Sequence, residues 1–155
     1  MDYAKQIFEI EAIKQLKARY FRLMDTKDWD NWGMVFTEDA TLQFDRAVST
    51  NGRDGKPIPK VVGRENLVAM LRNSVPKQTV HHGHMPEIEL LNETEATGIW
   101  SMEDIVDYGT SLIHGYGHYH ETYSKTDGQW RIATVHLTRI RLIQQNKDEM
   151  MVVAN

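Results

Sequence analysis

Between residues 3 and 24 the apolar positions recur every three or four residues, and Ile13, Leu16, Tyr20 and Met24 fall on one stripe. That spacing predicts an amphipathic helix of five or six turns with one buried face, leaving Glu9, Lys14, Lys17 and Arg22 for water. Tyr20 sits on the stripe, so its ring is expected to point inward and its phenol to be a buried polar tip. Asp25 stands where the stripe ends, before a second short helix over 28–36. Asp28 is the N-cap candidate for that helix, with Trp32 and Phe36 paired one turn apart. The period then changes to two, placing Ala40, Leu42 and Phe44 on one face of a strand, with Phe44 aimed at the interior. Residues 49–60 mix Gly, Pro and charge and predict a structureless, lid-like segment. Residues 63–72 predict a third helix burying Leu67, Met70 and Leu71.

From there on the pattern is strand-like. Residues 79–85 and 87–91 flank Pro86, which removes a ladder hydrogen bond and predicts an edge or a bulge that bends the sheet. Residues 96–106 alternate Trp100, Met102 and Asp104 against Ile99, Ser101 and Glu103. Two long strands, 113–125 and 129–142, meet at Asp127-Gly128, a dipeptide favoured in tight hairpins. Helices first and long antiparallel strands last predict a single α+β domain over 1–155, its core about 3–143. The N-terminal helices are expected to pack on a curved antiparallel sheet around a central apolar pocket. The apolar tail within 144–155 has no clear place in that plan, and the alternatives for it are to cover the pocket mouth, to cover a neighbouring subunit, or to be disordered.

Composition narrows the function. The chain has 155 residues, 41% of them apolar, and a formal charge of −4, so nucleic acid and anionic membrane are poor partners and a small uncharged ligand fits better. The absence of cysteine excludes disulfides, thiolate catalysis and thiolate metal sites. The polar start is not a signal peptide and no apolar run reaches membrane-spanning length, which points to a cytoplasmic protein.

Two clusters could carry chemistry. His82 with His84, and His118 with His120, each put two imidazoles on one strand face, an arrangement open to zinc or iron. No acidic residue stands at a diagnostic spacing from either pair, and exposed strand histidines are ordinary, so no metal is expected. His81 lies on the other face, with Gly83 and Met85, and that face is expected to look inward. A neutral imidazole accepts a proton near pH 7, and a carboxylate on its second nitrogen fixes the tautomer. Asp25 is the candidate carboxylate, and Tyr20 the candidate donor to a developing anion. Asp104 either stays protonated between Trp100 and Met102, helping a hydroxyl to leave, or pairs with Arg139. The plain alternatives are a core tyrosine, a helix-capping aspartate and a solvated strand carboxylate.

The order of the motifs 10–25, Lys27-Asp-Trp-Asp30, Thr79-Val-His81, Gly83-His-Met-Pro-Glu-Ile88, Trp100, Glu103-Asp104 and Asp127-Gly-Gln-Trp130 resembles the SnoaL-like group of the nuclear-transport-factor-2-like fold. Within it the pattern resembles bile-acid 7α-dehydratases and, further off, scytalone dehydratase. The resemblance implies that Tyr20, Asp25, His81 and Asp104 are catalytic and that Arg139 is a pocket arginine. A second pocket tyrosine of the bile-acid enzymes is matched here by Phe44, and the tyrosine before the aspartate in scytalone dehydratase by Met24. These losses imply a more apolar ligand. Phe44, Met24, Trp100, Met102, Tyr119 and Arg139 are the expected substrate-binding residues. The expectation is a lyase that removes water from a hydrophobic hydroxylated carbonyl compound, steroid-like or polycyclic, without cofactor or metal. The alternatives are a double-bond isomerase and a non-catalytic ligand-binding domain. A homo-oligomer is implied as well, a trimer before a dimer.

Overall fold

The computed structural model describes residues 2–48 and 55–147. The 49–54 part of the expected lid and the tail from 148 onward lie outside those residues. Helix α1 spans Tyr3–Asp25 and begins at Asp2, whose carboxylate accepts from the Lys5 amide at 2.8 Å. It ends at Thr26, after which Lys27 takes a left-handed φ of 60° and turns the chain. Asp28 caps the short helix α2, Trp29–Gly33, and the rings of Trp32 and Phe36 meet edge-on at 4.6 Å. The chain continues through β1 Phe36–Phe44, β2 Val61–Val62, α3 Arg64–Ser74 and the four long strands β3 Gln78–Leu90, β4 Glu95–Asp107, β5 Ser111–Thr126 and β6 Gln129–Asn146. Phe36 thus opens β1 rather than closing α2, and β6 runs four residues past the expected end at Leu142.

The strands form one sheet in the order β2-β1-β6-β5-β4-β3. Four of its pairings are antiparallel, but β1 runs parallel to β6. No hairpin joins β1 to β6, so nothing local sets their relative direction, and alternation alone could not reveal it. Asp127 and Gly128 have φ of 53° and 75°, the positive values a two-residue hairpin needs. At Met85-Pro86 the β3–β4 register shifts and Met85 adopts φ 40°, so the proline produces the expected bulge. The same bulge turns Met85 out to 88% exposure, which removes it from the inward face on which alternation had placed it. Among the described residues no helix is long and apolar enough to cross a membrane.

The helix α1 packs on β3 and β6, and here two charged residues depart from the simple stripe. Lys17 and Glu9, assigned to water by the pattern, are buried. Lys17 lies between Ile13 and Tyr20 on the stripe, and its ammonium bonds Glu121 of β5, likewise buried. Glu121 also accepts from the Tyr123 hydroxyl at 2.6 Å, and that oxygen accepts from Trp100 Nε1 at 2.8 Å. Glu9 accepts from Lys125 at 2.6 and 2.7 Å and from Trp130 Nε1 at 2.6 Å. Cross-sheet partners, invisible to a helical period, make both burials tolerable. Burial pulls the Lys17 amine below the usual lysine range, opposed by the charge and hydrogen bond of Glu121.

Removing one member of such a pair strands the other, so Glu121→Gln is expected to lower the unfolding free energy by about 3–5 kcal/mol. The double variant Lys17→Met/Glu121→Gln is expected to recover a large part of that loss. Urea unfolding of the three proteins checks both.

Candidate active site

The end of α1 and the start of β3 meet through one carboxylate. Asp25 Oδ1 lies 2.6 Å from His81 Nδ1, and its Oδ2 accepts from the His81 amide at 2.9 Å. The Thr79 hydroxyl donates to Oδ1 at 2.9 Å, and Lys27 in turn donates to Thr79 and to the Met24 carbonyl. A carboxylate only accepts, so Nδ1 carries its proton toward Asp25, and in the neutral form of the ring the lone pair lies on Nε2. Burial pushes the Asp25 carboxyl up, but the hydrogen bonds from the His81 ring, its main chain and Thr79, with charge on His81, outweigh it and hold the group below the ordinary aspartate range. The His81 ring lies nearly parallel to Phe21, at 13° and 6.5 Å between centroids. Gly83, two residues along the same strand face, leaves room for that phenyl: a Cβ there would stand 2.5 Å from Phe21 Cε2.

His81 opens into a cavity of about 420 Å³ between the helices and the sheet, within the range of small-ligand sites. Tyr20, Met24, Phe44, Tyr119, Asp104 and Arg139 share its wall. Tyr20 and Tyr119 meet edge-on with centroids 6.0 Å apart, and the Lys17 ammonium lies 4.0 and 3.7 Å from the two ring centres. Burial raises both phenols above the usual tyrosine range, with the Glu121 carboxylate adding to it at Tyr20 and the Tyr20 and Asp104 groups at Tyr119. Both therefore stay protonated and able to donate. Asp104 forms a two-point pair with Arg139, Nη1 to Oδ1 at 2.8 Å and Nη2 to Oδ2 at 2.7 Å. Of the two arrangements open to Asp104 in the sequence, this is the ion pair, and with both oxygens accepting it has no O–H to offer. Desolvation would lower the Arg139 pKa, but the hydrogen bonds and charge of Asp104 raise it above the ordinary arginine value.

Four of the six expected substrate-binding residues, Phe44, Met24, Tyr119 and Arg139, line the cavity. Trp100 and Met102 share the inward face of β4 but are used elsewhere. Trp100 is tied to Tyr123, and Met102 packs its sulfur 3.8 Å from Arg139 Nη1. Residues that sequence reasoning missed include Lys17, Thr79 and Lys27, and Gly115. A Cβ at Gly115 would fall 2.0 Å from Arg139 Nη1 and 2.1 Å from Asp104 Oδ1, so a bare backbone on β5 is what admits the ion pair. A larger groove of about 900 Å³ lies along the outside of α1, where the Asp25–His81 pair does not reach. Among the described residues the one trio of side chains placed to share a metal is His82, His84 and Glu103, on the sheet face opposite His81.

A family model described as a SnoaL-like domain matches residues 6–136. "Probable cyclase FGR4" of Gibberella zeae is 27% identical over 141 residues, spanning 83% of this chain and 89% of that protein. The solved structure of a "Putative Scytalone Dehydratase" from Novosphingobium aromaticivorans superposes with a TM-score of 0.78 at 21% identity, covering 92% of this chain and 91% of the other. The hexachlorocyclohexane dehydrochlorinase LinA-type3 of Novosphingobium barchaimii superposes with a TM-score of 0.73 at 17% identity, covering 93% and 94%. These likenesses to solved structures establish the fold.

Two outcomes are expected from the site as built. Gly115→Ala should displace the Asp104–Arg139 pair and destabilise the protein by about 1–3 kcal/mol, read as a lower urea midpoint. For Asp25 the folded pKa lies below the unfolded one, so its stabilisation is complete above about pH 4 and is lost as pH falls through the lower folded value. Wild type should therefore exceed Asp25→Asn in stability at neutral pH. That difference should shrink only in acid, and unfolding curves from pH 7 to pH 2 measure it.

Proposed function

The chain belongs to the SnoaL-like domain family, and on that premise we propose that it is a cofactor-independent lyase acting on a hydrophobic hydroxylated carbonyl compound. The observation that carries the reading is the 2.6 Å contact of His81 Nδ1 with Asp25 at the wall of an apolar cavity. Held in this tautomer, Nε2 removes a proton from the carbon beside the carbonyl, and the electron pair passes to the carbonyl oxygen as an enolate. Tyr20 donates a hydrogen bond to that oxygen, supported by its own hydrogen bond with Tyr119, in surroundings dry enough for the donor to matter. Collapse of the enolate expels the hydroxyl from the next carbon.

The proton that completes water comes from His81 itself. The imidazolium formed in the first step is the acid at hand, because both Asp104 oxygens already accept from Arg139. Base and acid are then the same ring, and the two departing groups leave from one face of the substrate. The Asp104–Arg139 pair shapes and polarises the far wall. Aliphatic and aromatic lining from Leu42, Phe44, Val106 and Leu137 fits a fused-ring or similarly apolar skeleton. A scytalone dehydratase-like protein and a dehydrochlorinase among the structural relatives support an elimination on this scaffold. A double-bond isomerisation is the second reading. It is favoured by the same single ring, which can return its proton to another carbon of the enolate.

The test is incubation with a panel of polycyclic and steroidal β-hydroxy ketones and β,γ-unsaturated ketones in D2O, with product mass and deuterium content read by mass spectrometry and double-bond position by ultraviolet absorption. Loss of one water is the lyase outcome, with deuterium beside the carbonyl of recovered substrate reporting a reversibly formed enolate, and a shifted double bond without loss of water is the isomerase outcome. His81→Ala is expected to lower the rate at least ~100-fold and Asp25→Asn by a smaller factor. Ligands that bind without exchange or turnover, and that bind His81→Ala equally well, would reduce the protein to a binding domain.

A further inference from the structure

The strand β3 sends His81 to the cavity and its neighbours His82 and His84 to the opposite face of the sheet. There the antiparallel register places Glu103 of β4 directly across from His82. His82 Nδ1 lies 3.8 Å from Glu103 Oε2, the two imidazole centroids are 5.9 Å apart, and one ligand atom from each of the three residues lies within 4.8 Å of the others. The acidic partner missing from the linear spacing is thus supplied across the ladder, about twenty residues further along the chain.

We propose that His82, His84 and Glu103 form a site for a divalent transition metal that pins the edge strand β3 to β4. Metal–ligand bonds of about 2.0–2.2 Å separate tetrahedral ligand atoms by about 3.4 Å. With ligand atoms no more than 4.8 Å apart, and 3.8 Å apart for His82 and Glu103, the side chains close by roughly 1 Å or less. The His82 and Glu103 side chains, 52% and 32% exposed, are free to make that rotation. Their backbones, in contrast, are fixed by adjoining rungs of one ladder. Two imidazoles and one carboxylate are the donors of zinc, cobalt, nickel or copper rather than of calcium or magnesium, which want oxygen. Water completes the coordination on the open side. The clamp lies beside the break in register at Met85-Pro86, where the edge strand is held least.

The protein contains its own control. His118 and His120 are another such pair, with centroids 6.3 Å apart. Their cross-strand neighbours are Ser101 and Ile99 on one side and Thr138 and His136 on the other, and the His120 ring already bonds Thr138. A carboxylate that completes the trio with both imidazoles belongs to the first place; at the second the nearby Asp45 is engaged with the ring of His136, at 3.2 Å, and does not join His118 and His120 in such a trio among the described residues.

The experiment is calorimetric titration of the chelator-treated full chain with zinc chloride, repeated with cobalt chloride followed by visible absorption, together with thermal unfolding with and without zinc. The expected result is one metal per chain and a zinc-dependent rise in Tm reversed by chelator. Affinity should fall at least about tenfold in His82→Ala and in Glu103→Gln, and stay unchanged in His118→Ala. All three variants alter exposed or half-buried side chains, and circular dichroism verifies their fold. Binding that is insensitive to His82→Ala, that is lost instead in His118→Ala, or that takes one metal per two chains would overturn the proposal. These readouts are independent of turnover, so the fate of the lyase reading does not decide them.

Discussion

The Asp25–His81 contact is the constraint on which the rest of the molecule turns, because it joins the end of the longest helix to the edge of the sheet through a single carboxylate. Asp25 accepts from the His81 ring, the His81 amide and Thr79 at once. The same group therefore fixes the imidazole tautomer and anchors the strand that carries it. An edge strand has a row of unpaired backbone groups and few neighbours, and a functional ring mounted on one would wander without such an anchor. Phe21 stacks on the ring from the helix side, and the missing side chain at Gly83 lets it come close enough.

Around this point the interior is less oily than its lining suggests. Lys17, Glu121, Asp104, Arg139 and Glu9 are all buried, and each is met by an opposite charge. The Lys17 ammonium beneath Tyr20 and Tyr119 and the guanidinium across from them surround the cavity with fixed charges that cancel in pairs. Such an arrangement stays rigid because any one charge that moves leaves another unpaired in a low dielectric. Preorganised polarity of this kind is what a reaction passing through an enolate requires.

Much of this was legible in the sequence, and the parts that were not share a cause. The helical stripe through Tyr20, the bulge at Pro86, the Asp127-Gly128 hairpin and the inward face of His81 follow from periodicities and local stereochemistry. What local rules could not supply was partnership across the sheet. Lys17 and Glu9 looked solvated because their partners, Glu121 and Lys125, lie more than a hundred residues away. Glu103 looked unrelated to His82 because register, not spacing, brings them together. Trp100 and Met102 carried the right hydrophobicity and the right face, yet the first is drawn to Tyr123 and the second sits behind Arg139. Gly115 gave no signal at all, since its role is to be absent where Arg139 passes.

The parallel pairing of β1 with β6 bears on how the chain is made. The first long strand has its principal neighbour in the last, so residues 36–44 leave the ribosome nearly a hundred positions before the segment they lie against. Until 129–146 are made, β1, β2 and α3 have only one another and α2 to pack against and no link to the rest of the sheet. Closure of so long a loop is slow. Whatever order the β3–β4 and β4–β5 pairs form in, β1 can take its place in the sheet only after 129–146 have been made.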